Sequence, residues 1–197
     1  MNPGTAKLFD PSEVLAKAME LFWAQGYEAT GMAQLVEHLG IGRQSLYNEF
    51  GDKRGLFLAA LNAYADVQHR EITEVLDRPG SPLKNLRDLC EKWIEMAEAD
   101  ECSGCLLANT AAEFGSRDEA VHSVLSSALR RSEDAFCGAF QRAIDARELS
   151  STVSPRDLAR LFMSAAQGVA VLTRLSGSNA MVASTARAIL QLLPAAE

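Results

Sequence analysis

Proline is scarce in this sequence, and strand-like patterning is absent. Six prolines interrupt 197 residues, and no run alternates apolar and polar residues at the two-residue period of a half-buried strand. A mainly β architecture is excluded, and an all-α fold is expected. Long apolar runs are missing too. The longest uncharged apolar-rich stretch, residues 161–173, has 13 residues, whereas a helix crossing a bilayer needs about 20. No apolar segment follows the early Lys7, so no secretory leader is expected. A cytoplasmic protein with no membrane partner follows. Its four cysteines, Cys90, Cys102, Cys105 and Cys137, are then expected as reduced thiols. The three histidines, His38, His69 and His122, show no metal-ligand spacing with them, so neither a metal nor another cofactor is expected. Positive charge is also short. Net charge is −7, and residues 1–54 hold five Lys/Arg against seven Asp/Glu. A nucleic-acid partner would have to be met by a small local cluster, such as Arg43, Lys53 and Arg54, with modest non-specific affinity.

What is present is a soluble globular composition, 48% hydrophobic and 23% charged, long enough for one or two domains. Its most informative stretch is residues 30–53, TGMAQLVEHLGIGRQSLYNEFGDK. Met32, Leu35, Val36 and Leu39 recur at helical spacing and predict one apolar stripe. Gly40-Ile41-Gly42 breaks that helix with residues suited to a sharp turn. A second short helix, Arg43–Phe50, follows, with Ile41, Leu46 and Phe50 facing inward. Arg43, Gln44, Ser45, Tyr47 and Asn48 are left on or near the outer face. One guanidinium, two amides, a hydroxyl and a phenol make a poor core surface. They suit the major groove of double-stranded DNA, where amides and guanidinium groups meet base edges and hydroxyls meet phosphates. The pattern reads as a helix-turn-helix with Arg43–Phe50 as the recognition helix. Thr30 is expected to N-cap the helix before it, an end that attracts anions. Lys53 at a helix start opposes the helix dipole, so a nearby phosphate is expected there. Tyr47 admits two readings, a core phenol or a phosphate donor.

The segment LFWAQGYEATGMAQLVEHLGIGRQSLYNEFGDKRGLF resembles the DNA-binding domain of TetR family transcriptional regulators. The resemblance rests on Gly26-Tyr27, Thr30, the Gly40-Ile41-Gly42 turn, Leu46-Tyr47, Phe50 and Lys53. It implies residues 1–54 as a three-helix DNA-binding domain and residues 55–197 as a helical effector-binding and dimerisation domain. It places Thr30 and Tyr47 against phosphate, beside the Lys53 expected there from the helix dipole. It implies a homodimer formed by the last two helices, reading a pseudo-palindromic operator, and a repressor released by a small-molecule or thiol-reactive signal. It also implies that the helix opening at Lys53 carries that signal. Two residues depart from the family pattern: Gly42 stands where serine is common, and Glu49 stands where an aromatic, basic or amide residue is usual.

Downstream, helices are expected over residues 53–76, 82–99, 104–114, 117–147, from 154, and over 179–193. The 154 helix is apolar on nearly all sides, through Leu158, Leu161, Phe162, Met163, Val169 and Val171, so both its own core and a second subunit must cover it. Trp93, Met96, Phe114, Phe136, Phe140, Phe162 and Met163 form the apolar set of this half. They read either as core or as the lining of an inducer cavity. Gln167 stands among apolar residues, and its amide needs a partner in the facing subunit, a water or a ligand. In the Cys102-Ser-Gly-Cys105 turn, one CxxC supplies two of the four ligands that zinc takes. The Gly104-Cys105-Leu106-Leu107 segment resembles a subset of TetR-like regulators that sense oxidants or electrophiles. A thiol at a helix N-terminus favours thiolate, while a small core residue is the plain alternative. Asp66-x-x-His69 and Glu119-x-x-His122 match the carboxylate-x-x-His spacing of di-iron enzymes, but Asp66 and His69 lie in a polar run that reads as a solvated face. An enzyme is not expected.

Overall fold

The computed structural model describes residues 9–98, 104–150, 152–176, 183–185, 187–188 and 191. Its regular structure is all helical: α1 (Pro11–Gln25), α2 (Met32–Leu39), α3 (Arg43–Phe50), α4 (Lys53–Leu76), α5 (Pro82–Glu98), α6 (Leu106–Phe114), α7 (Glu119–Asp145) and α8 (Pro155–Ser176). The helix expected at 179–193 lies mostly outside the described residues, as do Cys102 and the side chain of Met96.

The N-terminal unit follows from capping and spacing. The Asp10 carboxylate accepts from the Ser12 N–H and Pro11 opens the first turn, so α1 starts where an acid and a proline favour it. Its buried residues, Val14, Ala18, Leu21 and Phe22, fall on one helical face. Leu35 and Leu39 of α2 and Leu46 of α3 complete that core with Leu56, Phe57, Ala60 and Leu61 from the start of α4. Leu46 is the one fully buried residue of α3, and burying a leucine contributes about 1.5–3 kcal/mol. The half-buried Ile41 and Phe50 flank it. Gly40 closes α2 at φ 68°. Gly55 has a steric role, because a Cβ there would lie 2.0 Å from the Phe50 carbonyl oxygen. The absence of that carbon lets the end of α3 rest on the first turn of α4.

α4 belongs to two cores. Its first half closes the N-terminal unit, and Ile72, Val75 and Leu76 enter a second cluster with Leu83, Leu86, Leu89 and Cys90 of α5. Phe136 and Phe140 of α7 and Phe162 and Met163 of α8 complete that cluster. Over 24 residues, α4 spans about 36 Å. The N-terminal core also takes in Leu106 and Val121, so packing continues across residue 54 into α6 and α7.

Leu129 lies off the buried face of α7. It is 54% exposed, because the face that packs on the bundle passes through Val121, Ala128, Phe136, Ala139, Phe140 and Ala143. α7 also begins two residues late, at Glu119, where the Asp118 carboxylate caps it by accepting from the Val121 N–H. On α8, Ala159, Phe162 and Met163 are buried while Leu161 is 68% exposed and Val171 is also exposed. One face of this apolar helix is therefore covered within the protomer and another is not.

Candidate nucleic-acid interface

α3 presents Arg43, Gln44, Tyr47 and Asn48 to solvent, at positions i, i+1, i+4 and i+5. These positions share one side of a helix. The Gln44 side-chain amide donates to the Asn48 Oδ1 at 2.9 Å, so the two amides form one polar edge with donors and acceptors aimed outward. Tyr47, 38% exposed, lies on this face and not in the core. Ser45 and Glu49 are half-buried at its margin. Gly42 is the N-cap and offers no side-chain cap. The recognition helix therefore keeps its first N–H groups unclaimed by a capping side chain.

Thr30 and Arg54 are placed differently from their expected phosphate-side positions, and Lys53 has a contact within the chain. Thr30 is not the N-cap of α2; Gly31 is. The Thr30 hydroxyl turns back and donates to the Gly26 carbonyl at 2.6 Å, and the residue is fully buried. It holds the α1–α2 loop and does not present a hydroxyl to DNA. Lys53 has a partner within the chain: its ammonium sits 4.1 Å from the centroid of the Tyr27 ring. Asp52 caps α4 by accepting from the Gly55 N–H, which offsets the cost of a lysine at the helix start. Burial, then the charges of Glu28 and Asp52, push the Tyr27 phenol up from its ordinary value. Arg54 does not join a phosphate cluster. Its guanidinium clasps Asp118 through two hydrogen bonds of 2.7 and 3.0 Å. The pairing lowers the Asp118 carboxyl and raises the Arg54 guanidinium.

In the other half, Trp93, Phe136, Phe140, Phe162 and Met163 come together. Phe162 lies 5.7 Å from Trp93, 5.0 Å from Phe136 and 6.0 Å from Phe140, centroid to centroid. Phe114 is not part of this set. It packs on Tyr27 and Phe57 at 5.3 and 5.5 Å, because the C-terminal end of α6 abuts the α1–α2 loop. Cys105 is the N-cap of α6 and is buried, and the Gln68 amide donates to its sulfur at 3.6 Å. Gln167 Oε1 and Asn109 Nδ2 are buried atoms without a hydrogen-bond partner. Asn109 lies beside Gly104, where an added Cβ would lie 3.0 Å from the Ala170 carbonyl oxygen of α8. Gln68 and Asn109 escaped the sequence reading, although an amide inside the apolar run Leu106-Leu107-Ala108-Asn109 is the same signal that marked Gln167. Burial pushes the Cys90 thiol up to about 12, which leaves it inert as a nucleophile. Asp66 pairs with Arg131 at 2.7 Å, so its carboxylate serves an ion pair. Among the described residues no three His, Cys, Asp or Glu side chains are grouped to hold a metal.

Comparison with known families agrees with this geometry. Residues 14–60 match the family described as bacterial regulatory proteins, tetR family. Residues 82–189, more than half of the chain, match the tetracyclin repressor-like C-terminal domain. The chain belongs to the TetR family of transcriptional regulators. As a TetR-family member it is a DNA-binding transcriptional regulator and not an enzyme. It is 35% identical to the uncharacterized HTH-type transcriptional regulator YezE of Bacillus subtilis, over 75% of this chain and 76% of that one. It is 52% identical to the HTH-type transcriptional repressor ComR of Escherichia coli, over 32% of this chain and 30% of that one. A cysteine mutant of the TetR family regulator CifR, solved on 26-bp double-stranded operator DNA, superposes with a TM-score of 0.84. That match has 28% identity and covers 97% of this chain and all of that one. In this TetR-family regulator, then, the helix-turn-helix of α2 and α3 lies within the N-terminal match and α5–α8 lie within the C-terminal match, with α4 joining the two. No helix among the described residues is long and apolar enough to cross a membrane.

Proposed function

We propose that this TetR-family regulator is a repressor that binds a pseudo-palindromic operator as a homodimer and leaves it when a small-molecule or thiol-reactive signal reaches the C-terminal domain. The exposed quartet Arg43, Gln44, Tyr47 and Asn48 on a helix anchored by a buried leucine is the observation that carries this reading. Arg43, Gln44 and Asn48 read the groove, with Ser45 at its margin, while Tyr47 and Lys53 approach phosphates. One eight-residue helix reads only a few base pairs. A two-fold dimer reading two half-sites supplies the missing specificity. The uncovered apolar side of α8, with Leu161 and Val171 exposed, is suited to pairing with a second copy, together with the last helix. Residues 1–54 act as the reading unit and residues 55–197 as the sensing and dimerising unit.

For the signal, the Trp93–Phe136–Phe140–Phe162–Met163 cluster offers an apolar receptor wall. Gln167 Oε1 and Asn109 Nδ2 offer an unspent acceptor and donor to a polar ligand group. Cys105 offers a thiol to an α,β-unsaturated carbonyl compound: its sulfur bonds to the β-carbon, the C=C π bond breaks, and the proton lost by the thiol is returned through solvent to the α-carbon. Because Cys105 is buried against Gln68, the new group displaces Gln68 from α4's contact with α6. That movement weakens operator binding by shifting the recognition helices off their common spacing.

The test is binding to the protein's own upstream intergenic DNA at fixed salt, with and without a thiol oxidant or alkylating agent. Loss of binding, absent in Cys105→Ser, supports the thiol signal. Unchanged binding assigns sensing to the apolar wall, and a small-molecule screen for release then follows. Absence of operator binding in either state contradicts the repressor reading.

A further inference from the structure

The α1–α2 loop is tied to the C-terminal domain by two acidic side chains that neither touch the groove-facing surface nor belong to the effector cluster. Glu113, in the last turn of α6, accepts from the Tyr27 N–H at 3.0 Å and from the Glu28 N–H at 2.7 Å. Gly26 approaches the same carboxylate so closely that a Cβ there would lie 3.0 Å from Glu113 Oε2. Asp118, the cap of α7, clasps Arg54 in the first turn of α4. Arg117 donates to the carbonyls of Glu113 and Phe114 and fixes the α6–α7 corner between the two acids. The rings of Tyr27, Phe57 and Phe114 pack beside this corner. The helix-turn-helix is thus held at two points, one just before α2 and one just after α3.

We propose that Glu113 and Asp118 are positioning residues for operator binding, setting the angle at which the recognition helix leaves the body of each protomer. This rests on the operator-binding reading above. Glu113 is the stronger of the two, since its carboxylate takes two charge-assisted bonds from backbone amides, whereas Arg54 is 46% exposed in its pair and gains less. α6 makes the arrangement responsive. Cys105 caps one end and Glu113 and Phe114 stand at the other, so nine residues, about 14 Å of helix, join the sensing thiol to the loop in front of the reading head. A displacement at Cys105 reaches Tyr27 and Glu28 through one rigid element.

Charge gives the proposal a sign that distinguishes positioning from electrostatics. Removing a carboxylate from a chain of net charge −7 strengthens its attraction to DNA phosphates if charge alone acts. A positioning role predicts weaker operator binding instead. The experiment uses the full chain as wild type, Glu113→Ala, Glu113→Gln and Asp118→Asn, the last keeping an oxygen to cap α7. Two quantities are read: hydrogen exchange at the Tyr27 and Glu28 amides, and the ratio of affinities for operator and non-specific DNA at one salt concentration. Glu113→Ala is expected to speed exchange at both amides about tenfold or more while Leu35 and Leu61 stay protected. Its affinity ratio is expected to fall about tenfold, within the range usual for coupled sites. Glu113→Gln, whose single side-chain oxygen accepts from only one of the two N–H groups, is expected to recover part of the ratio, and Asp118→Asn to lower it several-fold. If Glu113→Ala also loses protection in the core, the glutamine and asparagine variants carry the comparison. Unchanged exchange at Tyr27 and Glu28, or an affinity ratio that stays level or rises, overturns the proposal. A wild type with no operator preference overturns the operator reading, and with it a role in operator binding, whereas operator preference in the wild type with an unchanged ratio in the variants overturns the positioning role alone.

Discussion

Gln44 and Asn48 show how much a single residue's neighbours decide. Their amides bond to each other at 2.9 Å, so each is oriented before DNA arrives, and less ordering remains to be done on binding. Lys53 is oriented as well, by the Tyr27 ring. Tyr47→Phe and Lys53→Ala are expected to weaken binding alike on all sequences, with Lys53→Ala lowering the salt slope by about one; titrations at three salt concentrations check this. Thr30 separates from this group. Thr30→Val is expected to cost about 1–3 kcal/mol of stability, because the Gly26 carbonyl loses its donor. Operator affinity of the folded protein should stay unchanged, as chemical denaturation and binding measured together will show. The exposed face of α3 was legible in the sequence because spacing alone places 43, 44, 47 and 48 on one side. Thr30 was misread because a threonine before a helix has the chemistry of a cap, and nothing local reveals that Gly31 takes the cap position while the hydroxyl folds back. The pairing of Arg54 with Asp118 spans 64 residues and has no local signal at all.

Among the elements, α3 depends on its neighbours for its place. Its own burial amounts to Leu46, so Leu46→Ala is expected to cost about 2–5 kcal/mol and to release the recognition helix before the rest of the core. Gly55→Ala tests the seat of α3 on α4 more directly. With only 2.0 Å between a Cβ and the Phe50 carbonyl, the two helices must separate, and operator binding should fall by more than melting temperature does. Equal affinity for Gly55→Ala and wild type would contradict that seat. Helix positions were readable from apolar period, proline and glycine, and α4 was placed at its observed bounds. Which core each apolar residue enters was not readable. Phe114 carries the same periodic signal as Phe136, yet α6 delivers it to Tyr27 and Phe57 and not to Trp93.

For the whole molecule, acidity and DNA binding are reconciled by placement. Glu113 and Asp118 spend their charge on joining the two halves, away from the exposed face of α3. The Asp118 carboxyl is held below its ordinary value of 3.8. A carboxyl lowered in the folded state stabilises above the unfolded value and loses that contribution as pH falls through the folded one. The Arg54–Asp118 clasp therefore persists at neutral pH and opens only in acid below about 3.8. Asp118→Asn should flatten the acid limb of a stability profile and leave the slope near neutrality unchanged. The account as a whole rests on α3 reading base edges. The measurement that tests it most directly is the affinity of wild type and Gln44→Ala for the upstream intergenic fragment and for a set of single-base operator variants at one salt concentration. The predicted result is that wild type discriminates by about 1–3 kcal/mol at one base position in each half-site, and that Gln44→Ala loses discrimination there and keeps it elsewhere. A Gln44→Ala protein with wild-type selectivity at every position would contradict the account.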